Sequence, residues 1–253
     1  MTNGERPLHE QQPLTRFGER AGDYSRHRPD YPAAVFDTLL EGLSPPITAA
    51  DIGAGTGISS RALAARGVQV LAIEPNEAMR QAARAHPRVR FLEGRGELIS
   101  LPDGSVDLIT CFQSFHWFEG GKALAEFHRI LRPAGRLGLV WNIRDRSDAF
   151  TAAYSEIVVR YASSPAAEDR PDIADALFED HSFAGLERFV YSNRQRLDGE
   201  GLMGRARSVS YLPRTGPRAE ELFADLRALF ESWNRDGVVD LVYETLLYRA
   251  VRN

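Results

Sequence analysis

The strongest constraint on the fold of this chain is the run Asp51-Ile52-Gly53-Ala54-Gly55-Thr56-Gly57, which carries three glycines at alternate positions. The residues before it, 47–50, are mostly apolar, and residues 58–65 have the spacing of a helix. Glycine permits positive φ and has no Cβ to collide with a ligand, and the first turn of a helix offers unpaired backbone amides. The run therefore predicts a strand-to-helix turn where a nucleotide-like ligand passes close to the backbone.

An acidic residue stands at the end of the next predicted strand. Residues 68–73 are apolar and indicate a buried parallel strand, which Glu74 and Pro75 follow directly. A carboxylate in this place is positioned to accept the hydroxyls of a ribose. Sites for NAD and for S-adenosylmethionine both use such a residue, so Glu74 does not distinguish them. The glycine spacing disfavours NAD, because the third glycine comes one residue earlier than in G-x-G-x-x-G.

Strands and helices alternate along the first 141 residues. The pattern predicts strands at 47–52, 68–73, 88–92, 106–112 and 136–141, and helices at 32–41, 57–65, 76–85 and 120–131, with a turn at 132–135. This rhythm is typical of a parallel α/β sheet with helices on both faces. Residues 143–182 and 199–233 are predicted to be mainly helical, and 186–197 and 239–248 to be strands.

Composition restricts the class of protein. The chain has 253 residues, 43% of them hydrophobic, which is enough for one large α/β domain. A net charge of −4 argues against tight, sequence-independent binding of nucleic acid, which needs Lys and Arg at the phosphates. The single cysteine, Cys111, favours a reducing compartment. Residues 1–13 lack an apolar signal core, and no run approaches the roughly 18 apolar residues of a membrane span. We expect a cytoplasmic protein that does not bind membranes.

Three segments resemble the class I S-adenosylmethionine-dependent methyltransferases. The D-x-G-x-G-x-G form of residues 51–57 is similar to motif I of that family. Gln-Ser-Phe-His-Trp-Phe at 113–118 is similar to a segment of the trans-aconitate methyltransferases and related small-molecule enzymes with a type 11 methyltransferase domain. Residues 16–32, with Phe17, Tyr24, Arg28 and Tyr31, resemble an N-terminal segment that folds over the cofactor. The resemblance implies a Rossmann-like, seven-stranded, mostly parallel sheet with the last strand antiparallel and a small helical cap.

The resemblance also implies a cofactor, S-adenosylmethionine, with S-adenosylhomocysteine as its product. Asp51 would help to hold the methionine end, Gln113 would lie beside the sulfonium, and Met79 would pack on the adenine. Arg95 stands where the family often has an acidic residue, so adenine recognition is assigned to the backbone around Gly96 and Glu97. The residues expected to bind the cofactor are Tyr24, Arg28, Asp51, Gly53, Ala54, Gly55, Gly57, Glu74, Pro75, Met79, Gly96, Glu97 and Gln113.

The acceptor site is expected beside the sulfonium. By resemblance its walls would come from His116, Trp117, Trp141, Asn142, Arg144 and Tyr211. His116 is the candidate catalytic residue, but core packing, cavity lining and action as a general base all remain open for it. A base is needed only where the acceptor must lose a proton.

Charged residues elsewhere carry weaker signals. Each arginine of the predicted cap is expected at the surface, although together they suggest an anionic substrate: Arg144, Arg146, Arg205, Arg207, Arg214 and Arg218. The remaining histidines show no ligand spacing, so we expect no metal site.

The expected organisation has four parts. Residues 1–14 form a disordered tail, and 15–142 form the cofactor-binding core with its N-terminal cover. Helical cap segments occupy 143–185 and 199–235, and the final strands of the sheet occupy 186–198 and 236–253. We expect a monomer or homodimer whose partner is a small-molecule methyl acceptor.

The favoured function is methyl transfer from S-adenosylmethionine to a small molecule, possibly an organic acid, by direct displacement. One alternative is a non-catalytic protein that binds the cofactor for regulation or interaction. Another is an NAD-dependent oxidoreductase. The chain lacks a G-x-x-x-x-G-K-[ST] phosphate loop, a G-x-S-x-G nucleophile elbow and a Cys-x-x-Cys pair.

Overall fold

The fold is a seven-stranded sheet in the order β3-β2-β1-β4-β5-β7-β6. A computed structural model describes residues 21–163 and 182–253. The strands are β1 Thr48–Ile52, β2 Gln69–Ile73, β3 Val89–Leu92, β4 Val106–Phe112, β5 Leu131–Arg144, β6 Phe183–Leu197 and β7 Val239–Arg252. Neighbours from β3 to β5 pair in parallel, and β7 runs antiparallel to both β5 and β6. The predicted sheet with an antiparallel last strand is confirmed.

Helices cover the sheet on both faces. They are α1 Ala21–His27, α2 Ala33–Leu40, α3 Ile58–Ala64, α4 Glu77–Gln81, α5 Gly120–Ile130, α6 Ala149–Tyr161, α7 Gly199–Arg207 and α8 Pro217–Trp233, with a short 3-10 turn at Phe115–Trp117. Successive residues of a strand enter different cores: Ala49 and Leu108 pack in one cluster, Ala50 and Ile109 in another. Because both faces are covered, the central strands are apolar at nearly every position.

A third hydrophobic cluster joins α6, α7 and α8 to the start of β7. Tyr154, Leu202, Leu222, Leu226 and Leu241 are fully buried in it. The predicted cap segments 143–185 and 199–235 supply these helices, but β5 extends to Arg144 and β6 already begins at Phe183. Their role as a cap is considered with the function below.

Strand β5 and helix α4 differ most in length from the prediction. The expected turn 132–135 lies inside the bounds of β5, where pairing jumps from Val106↔Leu131 to Leu108↔Arg136 and the intervening residues form a bulge. Helix α4 ends at Gln81 instead of residue 85.

Two other expectations concern the tail and the membrane. The tail 1–14 lies outside the described residues. Within the part of the chain that the structure describes, no helix has the length and apolar character needed to cross a membrane.

Candidate active site

The glycine loop between β1 and α3 has the conformation that its sequence requires. Gly53, Gly55 and Gly57 all have positive φ, at 68°, 57° and 74°. The amides of Gly53 and Ala54 both donate to the carbonyl of Ile73, at 2.8 and 3.1 Å, which fixes the loop to the end of β2. A Cβ on Gly55 would lie 3.6 Å from the Tyr24 ring and 3.7 Å from the Met79 methyl. Bare backbone therefore faces a space bounded by these two side chains.

Asp51 lies beneath the loop and is completely buried. Its carboxylate accepts hydrogen bonds from the hydroxyls of Ser59, Ser60 and Thr110, at 2.7, 2.6 and 2.9 Å. Burial raises the pKa of Asp51, and the three hydroxyl bonds oppose that rise. The carboxylate joins β1, α3 and β4 below the glycine loop.

Glu74 stands at the carboxyl end of β2 and is directed to the glycine loop. Its Oε2 accepts the amide of Gly55 at 2.8 Å, and its Oε1 accepts the amide of Asn76 at 2.9 Å. Burial is the main influence and raises the pKa of Glu74, while the two backbone bonds lower it. Each carboxylate oxygen has a second lone pair, so the group retains capacity to accept bonds from a ligand.

Residues 21–31, which we call the strap, pass over the same edge of the sheet. The Arg28 guanidinium lies 4.7 Å from the centre of the Tyr24 ring and donates to the carbonyl of Ser208 at 3.1 Å. The Tyr31 ring packs edge-on against Phe112, with 4.6 Å between ring centres. Burial raises the pKa of Tyr31 well above its ordinary value, so its hydroxyl keeps its proton and can donate a hydrogen bond.

A small cavity lies between the strap, the glycine loop and the third hydrophobic cluster. Its volume is about 20 Å³, room for about one water molecule. The cavity is lined by Tyr24, Arg28, Pro29, Tyr31, Gly53, Ala54, Ile58, Ser59, Phe112, Gln113, Asn142, Arg205 and Tyr243. The structure thus brings Tyr24, Arg28, part of the glycine loop, Gln113 and Asn142 to one place.

Gln113 lines this cavity and carries an unused acceptor. The residue has a positive φ of 54°, and its Nε2 donates to the carbonyl of Asn142 at 2.9 Å. Its buried Oε1 has no hydrogen-bond partner among the described residues. A buried acceptor of this kind is costly unless a donor arrives, so the arrangement fits a ligand that carries an N–H group.

Asn142 and Trp141 point to opposite faces of β5, because side chains alternate along a strand. Asn142 lines the cavity. Trp141 instead donates its indole N–H to Nδ1 of His116 at 3.2 Å, and the His116 ring lies 5.1 Å from that of Trp117. His116, Trp117 and Trp141 therefore form a group apart from the residues that line the cavity.

Arg144 and Tyr211, the other two residues expected to contact the acceptor, are buried among the helices. The Arg144 guanidinium lies 5.7 Å from the centre of the Tyr154 ring. The carbonyl of Tyr211 accepts both the amide and the hydroxyl of Ser163. Neither residue is among those that line the cavity.

The expected adenine side is a second small group of contacts. Met79 is buried, and a Cβ on Gly96 would lie 2.7 Å from the Phe118 ring, which packs on that glycine. Glu97 accepts the amide of Glu119 at the start of α5, at 2.8 Å. The carbonyl of Pro75 accepts Nη1 of Arg80 at 3.0 Å. The residues of this group thus form their contacts mainly with other residues of the protein.

Sequence reasoning missed six residues of the cavity wall: Pro29, Ile58, Ser59, Phe112, Arg205 and Tyr243. Arg205 was expected at the surface but is only 2% exposed, and its Nε donates to the Tyr243 hydroxyl at 3.4 Å. A signal was present: Arg205 follows Leu202 by three residues, so both lie on one face of α7. Among the residues that the structure describes, no group of His, Cys, Asp or Glu could hold a metal ion.

Comparison with known proteins places this geometry in context. A family profile described as a methyltransferase domain matches residues 50–139. An uncharacterized methyltransferase of Mycobacterium tuberculosis is 33% identical over 243 residues, which covers 92% of this chain and 94% of the relative. Another from Schizosaccharomyces pombe is 30% identical over 233 residues, covering 89% and 91%. A solved structure from Anaeromyxobacter dehalogenans, provisionally described as a type II methyltransferase, aligns with a TM-score of 0.60 at 25% identity, covering 89% and 96%.

Proposed function

Because the chain belongs to the class I S-adenosylmethionine-dependent methyltransferases, we propose that it methylates a small-molecule acceptor by direct displacement. The observation that carries this proposal is the shared cavity. The glycine loop, which Glu74 holds through the amide of Gly55, opens onto the same space as Gln113 and Asn142. This shared space supports a site where the groups proposed to bind the cofactor and those proposed to bind the acceptor lie side by side.

The residues present fit S-adenosylmethionine. The bare backbone of the glycine loop would pass along the cofactor, and Glu74 would accept the ribose hydroxyls with its remaining lone pairs. The unused Oε1 of Gln113 fits an ammonium donor. Met79 and the backbone of Gly96 would hold the adenine. We propose that Asp51 contributes by fixing β1, α3 and β4 beneath the loop, because its carboxylate is already engaged by three hydroxyls.

When bound, S-adenosylmethionine supplies a methyl group on a positively charged sulfur, which is open to in-line attack by an acceptor lone pair. The chain has to orient the acceptor and exclude water, and such positioning is worth up to about 7–11 kcal/mol in ideal intramolecular models. The strap closes the cavity from one side. Helix α7 supplies the opposite wall through Arg205, and we propose that α6, α7 and α8 act as the substrate cap.

The charge of the cavity supports an organic acid as acceptor. Arg28 and Arg205 line it, and no Asp or Glu is among its described lining residues. A carboxylate acceptor is already nucleophilic and needs no base. This agrees with the contacts of His116, whose Nδ1 accepts the Trp141 indole N–H. His116 also lies apart from the residues that line the cavity. Its catalytic role stays a prediction.

Calorimetric titration with S-adenosylhomocysteine tests the proposal. We expect a binding isotherm for the wild type and no competition from NAD. Glu74→Gln should weaken binding by about 1.5–3 kcal/mol, the scale of hydrogen bonds to a charged group, whereas exposed Glu77→Gln should bind like the wild type. No detectable binding at millimolar concentration would rule the proposal out. Binding without methyl transfer to any of a panel of acids would favour a non-catalytic, cofactor-binding protein.

Location and assembly are further parts of the proposal. Cys111 is buried and unpaired, which supports a reducing compartment, and we propose the cytoplasm. We also propose that the protein acts as a monomer or homodimer, without nucleic acid as a partner. Size-exclusion chromatography with light scattering would determine the assembly.

A further inference from the structure

The strap supplies part of the cavity wall but has little structure of its own. Tyr24, Arg28, Pro29 and Tyr31 all line the cavity. The only helix in the strap, α1, has seven residues, a length that is not stable in isolation. The position of these side chains therefore depends on contacts that other elements make with the strap.

Two amide side chains of β6 hold the strap by its backbone. Gln195 Nε2 donates to the carbonyl of His27 at 2.8 Å, and Asn193 Nδ2 donates to the carbonyl of Asp30 at 2.8 Å. The two residues are two positions apart, so they lie on the same face of the strand. Asn142 adds a longer bond to the Asp30 carbonyl, at 3.3 Å. We call Asn193 and Gln195 the clasp.

Each clasp residue also forms a hydrogen bond with a residue that lines the cavity. Asn193 Nδ2 lies 3.2 Å from Asn142 Oδ1, and the carbonyl of Asn142 in turn accepts the side chain of Gln113. Gln195 Oε1 accepts the hydroxyl of Tyr243 at 3.4 Å. The clasp thus links the strap to the two strands that form the floor of the cavity, although β6 itself is the outermost strand of the sheet.

The small volume of the cavity makes the clasp relevant to ligand binding. A volume of about 20 Å³ holds about one water molecule, so part of the cavity wall has to move to admit a methyl acceptor, and the strap is the part with little structure of its own. The strap must then return for Tyr24, Arg28 and Tyr31 to meet the cofactor and the acceptor. Bonds that favour the closed strap without touching the ligand stabilise the bound state.

From these contacts we infer that Asn193 and Gln195 are positioning residues for methyl transfer. They set the place of the strap through the carbonyls of Asp30 and His27, and through it the place of Arg28 and Tyr31 in the acceptor cavity. The inference rests on the proposed function for the identity of the ligand. It assigns a role in the site to β6, an outer strand that contributes no residue to the cavity wall.

Asn193→Asp is the sharpest test. Aspartate keeps the shape of the side chain and the oxygen that accepts the Arg194 amide, but it has no N–H for the Asp30 carbonyl. Ser192→Asp is the matched control, because it adds the same charge at an exposed neighbour that points to the other face of β6. Two readouts are used: the affinity for S-adenosylhomocysteine by calorimetry, and the rate of tryptic cleavage after exposed Arg26 in the strap, with and without that ligand.

We expect Asn193→Asp to bind S-adenosylhomocysteine about tenfold more weakly and to be cleaved after Arg26 about tenfold faster, the effect of one lost hydrogen bond. Ser192→Asp should match the wild type in affinity and in cleavage rate. The melting temperatures of the two variants should agree. Equal behaviour of the two variants would overturn the inference. If Asn193→Asp fails to fold, Gln195→Glu repeats the test, because it keeps the acceptor for Tyr243 and loses the donor to His27.

The outcomes separate this inference from the proposed function. If the wild type does not bind S-adenosylhomocysteine, the proposed function fails, and the clasp is judged by cleavage without ligand. Faster cleavage of Asn193→Asp than of Ser192→Asp then supports the clasp, and equal cleavage refutes it. If the wild type binds and both variants bind equally well, the clasp fails and the proposed function stands.

Discussion

At the scale of single residues, the buried carboxylate of Asp51 supports the glycine loop from beneath and does not line the cavity. Three hydroxyls converge on it from α3 and β4. Replacing the carboxylate by an amide leaves one acceptor oxygen and places an NH2 against hydroxyls that previously donated. We expect Asp51→Asn to lower the free energy of unfolding by about 2–4 kcal/mol, measured by urea denaturation.

The pH dependence of stability carries a second signature of Asp51. Burial raises its pKa in the folded chain above the ordinary 3.8, so the folded state holds this proton more tightly than the unfolded state. The contribution of Asp51 to stability is therefore largest at low pH and falls as pH rises from about 4 through the raised pKa. In urea titrations, wild type should lose stability relative to Asp51→Asn over that window. A constant difference between the two proteins would contradict the expectation.

At the scale of elements, the glycine loop combines two separate demands, backbone strain and close packing. Gly53 has positive φ, and a Cβ there would lie 2.5 Å from the Cβ of Ser114. Gly42 also has positive φ, but nothing lies within 4 Å of the place of its Cβ. Gly42→Ala therefore measures the strain alone, about 1–2 kcal/mol.

Gly53→Ala should cost more than Gly42→Ala in the free energy of unfolding, because Ser114 or the loop must also move. We expect an added loss of about 1–3 kcal/mol from overpacking, together with weaker binding of S-adenosylhomocysteine. Gly42→Ala should leave that binding unchanged. Chemical denaturation and calorimetry on both variants would measure the difference, and equal losses would show that Ser114 yields without cost.

Helix α7 has a glycine that its own stability does not need. The His27 ring of the strap lies over Gly204, where a Cβ would come within 2.4 Å of it. Alanine is favoured over glycine in a helix by about 1 kcal/mol. Any fall in the melting temperature of Gly204→Ala should therefore come only from the lost contact with the strap. The substitution should nevertheless displace His27 and speed tryptic cleavage after Arg26. An unchanged cleavage rate would mean that the ring turns aside without moving the strap.

The elements also show what could be predicted from the sequence. The order and type of the strands followed from period and turn residues, because the apolar runs and glycine turns around Asp51 and Glu74 are local signals. The sequence did not predict which candidate residues line the cavity, because Asn142 and Trp141 are neighbours in sequence but face opposite sides of β5. Arg205 was misplaced because its burial depends on helices that pack from elsewhere in the chain.

At the scale of the whole molecule, ligand binding should be visible as stability. The cavity lies where the sheet, the strap and the helical segments meet, so a ligand that fills it bridges all three. We expect S-adenosylhomocysteine at 100 times its dissociation constant to stabilise the fold by about 2.7 kcal/mol. Thermal unfolding with and without the ligand measures this, and an unchanged melting temperature at saturating ligand would contradict a site at this junction.

Arg205 should separate the acceptor from the cofactor in the same assay. Arg205→Met keeps the length of the side chain and removes the charge from the cavity wall. It should retain stabilisation by S-adenosylhomocysteine and lose any additional stabilisation by di- and tricarboxylic acids. Arg207→Met is the control, because Arg207 lies on the same helix, is half-buried and does not line the cavity; it should bind both ligands like the wild type. Loss of both effects in Arg205→Met would argue for a general structural role instead.

The anchoring of the strap has a consequence for how the protein is made. Asn193 holds a carbonyl 163 positions earlier in the chain. At about 5–20 residues per second, a ribosome needs about 8–30 seconds between synthesis of the strap and synthesis of its anchor. During that interval β1 to β5 can form a sheet with its glycine loop, but the strap still lacks its hydrogen bonds to the clasp. The cavity is thus completed last, by strands that come from the end of translation.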